Sequence, residues 1–301
     1  MVLLAVAGYL AVQYVTGGAG APGCKVTGGT DEASTYEFTP EQAVNAATIT
    51  AVGTARELPD RAVTIALATA LQESSLRNLD HGDKDSLGLF QQRPSQGWGK
   101  PGEIMDPAYS AGLFYDHLVE VPGYLDLPLT DAAQRVQRSA FPYAYAKHEP
   151  GAELLAAALT GRSAATLTCD GRPGATQEKG PDAVRAALVR DFGQDVLRPA
   201  GAEAGGDAAS PRPAAGSDER TVTLPVTGGT GSGAAAERER RGWQLAHWAV
   251  ANASSLHIQR VTYAGREWTA GNTDSKWSPV GAAGTKGAER AAGPVRITSA
   301  R

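Results

Sequence analysis

The pattern of apolar positions divides the chain into a helical first part, a stretch with no pattern, and a mixed last part. After Thr39, the apolar residues Val44, Ala47, Ile49, Ala51, Val52 and Ala55 are mostly small and predict a helix to about Leu58. The Thr39 hydroxyl can accept the Gln42 amide, with Pro40 at the first helical position. Pro59 and Asp60 open a second helix, whose Val63, Leu67, Ala70 and Leu71 line one face. Asp106-Pro107 opens a third, with Leu113, Phe114, His117 and Leu118 turned inward and Pro122 ending it; His117 reads as a packed histidine. Another helix begins at Thr130. Glu149-Pro150 opens a short Ala-rich one that runs through Leu159 and is stopped by Gly161. Pro181 to Phe192 forms one more amphipathic helix through Val184, Leu188 and Phe192.

From Pro199 to Ala236 the periodicity is lost. This segment is rich in Ala, Gly, Ser and Pro, contains one β-like run (Thr221 to Val226), and reads as a linker without a core of its own. At about Glu237 a mixed-charge run leads into a helix bearing Trp243, Ala246, Val250 and Ala251. Beyond Ser255 the period changes to two. Ile258 to Tyr263, a turn at Ala264-Gly265-Arg266, and Glu267 to Thr269 read as a hairpin, with Ser275 to Val280 and Val295 to Ser299 as further strands. The predicted fold class is mainly α: a helical domain, then a linker and a small α+β C-terminal module.

With 301 residues there is room for about two domains. The net charge of −4 draws the molecule as a whole to no polyanion, so neither nucleic acid nor anionic lipid is implied. Cys24 and Cys169 bracket the helical part. Without a Cys-x-x-Cys spacing a zinc ribbon or thioredoxin site is excluded, and one long-range disulfide is the reading if the chain is exported. Export is what Val2 to Val15 suggests, being apolar apart from Gln13 and followed by small residues. Ala19-Gly20-Ala21 has the form of a cleavage site, but Pro22 opposes cleavage and no basic residue precedes Val2. Residues 1–23 are therefore expected to be a signal peptide or an uncleaved signal anchor, and the protein to be secreted or held at the cell surface.

Glu73 lies near the end of the second helix, on the flank of its apolar stripe. At about 100° per residue it falls close to Ala66 and about 80° from Val63. Burial among small apolar groups disfavours the ionised form, giving a carboxyl suited to protonating a weakly basic ether oxygen. The loop that follows, Asp80 to Asp85, fails the calcium-loop pattern and reads as a solvated turn. Then comes a glycine-led turn, Gly88-Leu89-Phe90-Gln91. The stretch Gln91 to Gly99 is rich in amides with one indole, a combination that suits sugar hydroxyls and sugar faces. Trp98 also fits a core plug.

Glu73-Ser74 followed by Gly88-Leu89-Phe90-Gln91 resembles the paired motif of the lysozyme-like lytic transglycosylases of the soluble-transglycosylase type. There, Glu-Ser is followed at about this spacing by Gly-Leu-Met-Gln; Phe90 replaces the Met. The resemblance runs roughly from Thr39 to Gly161. It implies a lysozyme-like domain over residues 24–169; pattern and composition place a helical extension (170–198), the linker (199–236) and the module (237–301) after it. It also implies Glu73 as catalytic acid and base, with Ser74, Phe90, Gln91, Gln92 and Trp98 along a sugar-binding cleft. An Ala-Tyr-Asn segment of that family supplies a Tyr near the Glu; here Tyr143 or Tyr145 fits, without the Asn.

The expected reaction is cleavage of peptidoglycan between N-acetylmuramic acid and N-acetylglucosamine by a single carboxylate, giving a 1,6-anhydro product. No cofactor or metal is required, and the chain is otherwise expected to be monomeric. A hydrolytic lysozyme is the alternative, needing a second carboxylate such as Asp83 or Asp85 at about 5 to 9.5 Å. A catalytically idle peptidoglycan-binding protein is another. The C-terminal module resembles modules of actinobacterial secreted cell-wall proteins and carries no implied activity. Its Trp248, Trp268 and Trp277 read as scaffold ahead of a ligand platform, and His247 and His257 stand alone. Behind such a linker the module is expected to be separable.

Overall fold

The computed structural model describes residues 23–28, 34–139, 143–171, 179–198, 219–226, 231–271, 276–280 and 293–300. Of the expected signal segment, residues 1–23, all but Gly23 lie outside the described residues, as does most of the linker. Eight helices are present among those described: α1 (Pro40–Ala55), α2 (Asp60–Ser74), α3 (Pro101–Ile104), α4 (Pro107–Val119), α5 (Leu129–Gln137), α6 (Glu149–Leu159), α7 (Pro181–Phe192) and α8 (Ala234–Ala251). The fold is thus mainly α, and none of these helices is long and apolar enough to cross a membrane.

Helix starts follow the local chemistry. At α1, Gln42 N donates to Thr39 Oγ1 at 3.3 Å and Thr39 N donates to Gln42 Oε1 at 2.7 Å, a reciprocal cap. Pro59 precedes α2, and Asp106 caps α4 by accepting from Ala108 N at 2.8 Å. Gly161, with φ 77°, follows the end of α6. The core of the first part is α2, whose residues from Ala62 to Leu71 are all buried. It packs against α6 and, with α1, against α4. Small side chains such as Ala66 and Ala70 let these helices approach closely.

Two short strands near the start were not expected from the sequence: β1 (Cys24–Thr27) and β2 (Thr35–Phe38). With β3 (Leu167–Cys169) they form a three-stranded antiparallel sheet in the order β2-β1-β3. Cys24 stands directly opposite Cys169, and the two are joined by a disulfide. The bond ties the start of the first unit to its end.

The C-terminal sheet is antiparallel in the order β4-β8-β5-β6-β7, from β4 (Thr221–Leu224), β5 (Ile258–Tyr263), β6 (Arg266–Thr269), β7 (Ser278–Pro279) and β8 (Val295–Ser299). This corrects the linker reading of Thr221 to Leu224. They pair with β8 in register Val222↔Ile297, and Val222 and Leu224 are buried. The partner strand lies some seventy residues on, beyond the reach of a local pattern.

The expectation of few contacts between the two parts is also corrected. Helix α8 lies between the C-terminal sheet and the helices α1 and α6, and the apolar core is continuous across it. Trp248 Nε1 donates to Asp191 Oδ2 at 2.8 Å, Trp268 Nε1 to Cys169 O at 3.1 Å, and Trp277 Nε1 to Leu167 O at 3.0 Å. Three indoles of the last part therefore anchor in α7 and β3, and their scaffold reading holds. Asp191 also accepts from Thr48 Oγ1 at 3.2 Å, tying α1 to α7 and α8 in one buried network. Two glycines allow the close fit. A Cβ on Gly161 would lie 1.9 Å from Arg240 O, and one on Gly242 would lie 1.9 Å from the Tyr263 ring.

Candidate active site

Glu73 occupies the last turn of α2, where the chain leaves the helix through two consecutive left-handed residues, Ser75 (φ 53°) and Leu76 (φ 58°). Such a pair of non-glycine residues is costly and persists only when the surroundings hold it. Here α1 holds it. Gln42 Nε2 donates to Ser75 O at 2.8 Å and Asn45 Nδ2 to Leu76 O at 2.8 Å, while the fully buried Leu76 side chain enters the core. The capping glutamine of α1 thus also fixes the exit from the helix that carries Glu73.

The Glu73 carboxyl is part-buried. Tyr145 Oη donates to Glu73 Oε1 at 2.6 Å, and the Gln137 side chain at the end of α5 bonds the same carboxyl. Burial raises the Glu73 pKa above the ordinary glutamate value; the bonds from Tyr145 and Gln137 oppose that shift without cancelling it. Tyr145 is itself pushed well above the usual phenol range, chiefly by burial and then by the Glu73 charge, so its hydroxyl remains a donor. Ser139 bonds the tyrosine in turn. Gln137 Nε2 also donates to Phe90 O at 2.8 Å, coupling the carboxyl to the glycine-led turn. Beside this group, His148 Nε2 lies 3.1 Å from Gln72 Oε1.

That turn is locked from several sides. Ser74 Oγ donates to Leu89 O at 2.7 Å. Gly88 is left-handed (φ 76°), and a Cβ there would come within 2.7 Å of Ile104 O. Two isolated bridges, Leu79 to Gly88 and Leu87 to Gln92, close the segment.

The residues expected along a cleft divide into two groups. Ser74, Phe90, Gln92 and Tyr145 have buried side chains. Phe90 stacks on Phe114 with ring centroids 4.6 Å apart, and Gln92 Nε2 donates to Ser110 O at 3.1 Å. The expectation that these two side chains contact sugar is corrected: they pack the turn against α4. Ser74 likewise holds the turn in place. Gln91, Trp98 and Tyr143 keep accessible surface. Gln91, itself left-handed (φ 47°), donates to Gly88 O at 3.2 Å. Trp98 lies against His117 with centroids 4.4 Å apart, and His117 is exposed under that indole, not packed inward. Tyr143 is 82% exposed, so Tyr145 is the tyrosine that meets Glu73.

Of the two loop carboxylates, Asp85 is engaged. Ser95 N donates to Asp85 Oδ2 at 2.8 Å and Arg93 Nε to Asp85 Oδ1 at 2.7 Å. Ser95 and the Arg93 guanidinium hold the Asp85 carboxyl far below the usual carboxylate range. Asp83 is exposed. Gln137, Ser139 and Asn45 carried no signal in the sequence, and Gln42 signalled only the cap of α1, since these contacts reach a residue 30 or more positions away or across a turn.

Residues 228–290 match the family described as VldE, C-terminal domain. The matched span begins just before α8 and contains β5 to β7, and so includes none of the residues around Glu73. No curated protein matches the chain.

Proposed function

We propose that this protein is an exported, lysozyme-like enzyme that cleaves peptidoglycan strands between N-acetylmuramic acid and N-acetylglucosamine by lytic transglycosylation. The observation that carries this reading is the part-buried Glu73 carboxyl, with raised pKa, held by Tyr145 and Gln137 beside the locked Gly88 turn. A raised pKa keeps a carboxylic acid protonated to higher pH than an ordinary glutamate, in the direction that general-acid attack on a glycosidic oxygen requires.

In the proposed reaction Glu73 gives its proton to the departing O4 of N-acetylglucosamine as the bond from C1 of N-acetylmuramic acid to that oxygen breaks. The resulting carboxylate takes the proton of the muramyl C6 hydroxyl, whose oxygen forms a new bond to C1. The product is a 1,6-anhydro ring, and Glu73 ends protonated, ready for another cycle. Water is not consumed. Tyr145 and Gln137 orient the carboxyl through both steps. Gln91, Trp98 and Tyr143 offer the accessible amide, indole and phenol surface for the glycan.

The single-carboxylate chemistry is favoured over hydrolysis because Asp85 is committed to Arg93 and Ser95. A carboxylate held in an ion pair and an amide bond is not poised to activate water or attack carbon. The test is digestion of purified peptidoglycan by the full chain, followed by mass spectrometry of the muropeptides. Anhydro ends that disappear with Glu73→Gln support the proposal. Reducing ends, heavier by one water, would replace it with a hydrolase, and pull-down without any cleavage would replace it with a binding protein.

A further inference from the structure

A short 3-10 turn, Ala146–His148, runs into α6 and meets the end of α2 at two neighbouring places. Tyr145, just ahead of the turn, reaches Glu73, and His148 reaches Gln72, the residue before Glu73, with Nε2 3.1 Å from Oε1. His148 N donates to Tyr145 O at 3.0 Å and closes the turn. Such a turn sets residues three apart on one side, so the phenol and the imidazole face α2 together. Between them Ala146 and Lys147 are exposed, as is Tyr143 ahead of them. Among the described residues, the segment 143–148 has these two hydrogen bonds to α2 and no other.

We propose that His148 is a positioning residue for the Glu73 carboxyl: by tying the turn to Gln72 it fixes the place from which the Tyr145 hydroxyl reaches Glu73. The tolerance is small, since the 2.6 Å bond is lost if the hydroxyl moves by about 1 Å. Burial of the Tyr145 ring supplies a force without direction, whereas the bond three residues on limits how far the turn can slide along α2. The tie does not depend on the charge of His148. The Gln72 carbonyl oxygen only accepts, so Nε2 carries the proton in the neutral ring, and it carries one in the imidazolium as well. Burial and then the Lys147 ammonium lower the His148 pKa, so the neutral ring is the form that makes this bond at pH 7. The weight of His148 in catalysis rests on the proposed role of Glu73; its hold on the carboxyl does not.

Two measurements on the full, disulfide-intact chain test this: the Glu73 pKa, read by carbon-13 NMR titration of its carboxyl with Glu73→Gln assigning the signal, and the rate of peptidoglycan digestion. Because the Tyr145 bond lowers the Glu73 pKa, loosening that bond raises it. His148→Ala should therefore move the Glu73 pKa up, in the same direction as Tyr145→Phe and by less. It should also slow digestion about tenfold, short of the about hundredfold that a 1 Å misplacement can cost. His148→Gln keeps a donor near the place of Nε2 but carries no charge, and should return both readouts to parent values. Gln72→Ala removes the acceptor instead; it should reproduce His148→Ala, serves where that variant does not fold, and should add nothing to it in the double variant. An unchanged Glu73 pKa in folded His148→Ala or Gln72→Ala, a His148→Gln as defective as His148→Ala, or additive effects of the two sites would each overturn the proposal. A parent that leaves peptidoglycan uncut would remove the proposed function alone, since the NMR titration still decides the place of His148.

Discussion

Tyr145 Oη lies 2.6 Å from Glu73 Oε1, a bond between residues 72 positions apart that joins the segment after α5 to the end of α2. The contact works against burial at the carboxyl: burial raises the Glu73 pKa, and the tyrosine bond, which favours the carboxylate, lowers it. Removing the hydroxyl should therefore move the pKa further up. Because the proposed first step needs the protonated acid, the rate should fall as pH rises through that pKa. In Tyr145→Phe the alkaline limb of the pH–rate profile should shift to higher pH, while the loss of orientation lowers the maximal rate. Glu73→Gln, which keeps the shape and removes the proton, should lose about a hundredfold or more. A Tyr145→Phe limb displaced to lower pH would contradict this account.

The ion pair from Arg93 to Asp85 yields a second prediction. Asp85 is consumed in holding the Arg93-to-Ser95 segment, and Asp83 is exposed on the same loop. Asp83→Asn should leave activity within about twofold, the range of a neutral surface change. Asp85→Asn should keep most of the activity and lose some thermal stability, because the carboxylate that orders the segment is gone. Peptidoglycan digestion by each variant, read alongside melting temperature, checks both. A hundredfold loss in either variant without a fall in melting temperature would point to a second catalytic carboxylate.

Gly161 and Arg240 meet so closely that a Cβ on the glycine would lie 1.9 Å from the arginine carbonyl oxygen. Arg240 Nε also donates to Thr160 O at 3.1 Å and its guanidinium pairs with Asp60 at the start of α2. With the three tryptophan anchors, this interface makes the last part of the chain a wall of the first part's core. A chain of residues 24–198 should consequently be insoluble, or melt well below the full protein. Each large apolar side chain left without its cover forfeits about 1.5 to 3 kcal/mol. An equal melting temperature for the two would show that the interface contributes nothing.

The reach of the sequence follows from how local each determinant is. The start of α1 was legible because Thr39, Pro40 and Gln42 act within one turn, and Pro59, Pro107 and Pro181 mark their helices for the same reason. Glu73 could be placed on the flank of an apolar stripe by counting residues. Its partner could not be chosen: Tyr143 and Tyr145 differ in the sequence by two positions, and only the fold exposes one and buries the other. Phe90 read as a sugar contact through the motif resemblance and Gln92 through the amide-rich stretch, whereas their side chains answer to Phe114 and Ser110 in α4, a tertiary relation with no local signal. Strand β4 and the docking of α8 failed for the same reason. Their partners, β8 for the strand and Asp191, Ala158 and Thr54 for the helix, are far along the chain.

His247 supplies the last prediction. It is fully buried in α8; its Nδ1 lies 2.8 Å from Ala158 O, and its ring lies against Trp243 and Trp277. Since a carbonyl only accepts, Nδ1 carries the proton and Nε2 is bare, and Nε2 has no partner. Burial lowers the pKa to about 4 from 6.5, the Ala158 bond opposing it weakly. The folded state therefore refuses a proton that the unfolded chain accepts between those values. At pH 7 both states are neutral and the group adds no pH dependence. As pH falls from about 6.5 to about 4, the unfolded state binds more protons, so stability declines, by about 3 kcal/mol in all at 1.36 kcal/mol per pKa unit. Denaturant unfolding at several pH values in this window should show that slope in the parent and a shallower one in His247→Gln. The comparison rests on the slope, so a variant less stable at every pH still decides it. Identical slopes would mean that the ring is protonated in the folded protein or that the interface opens before it titrates.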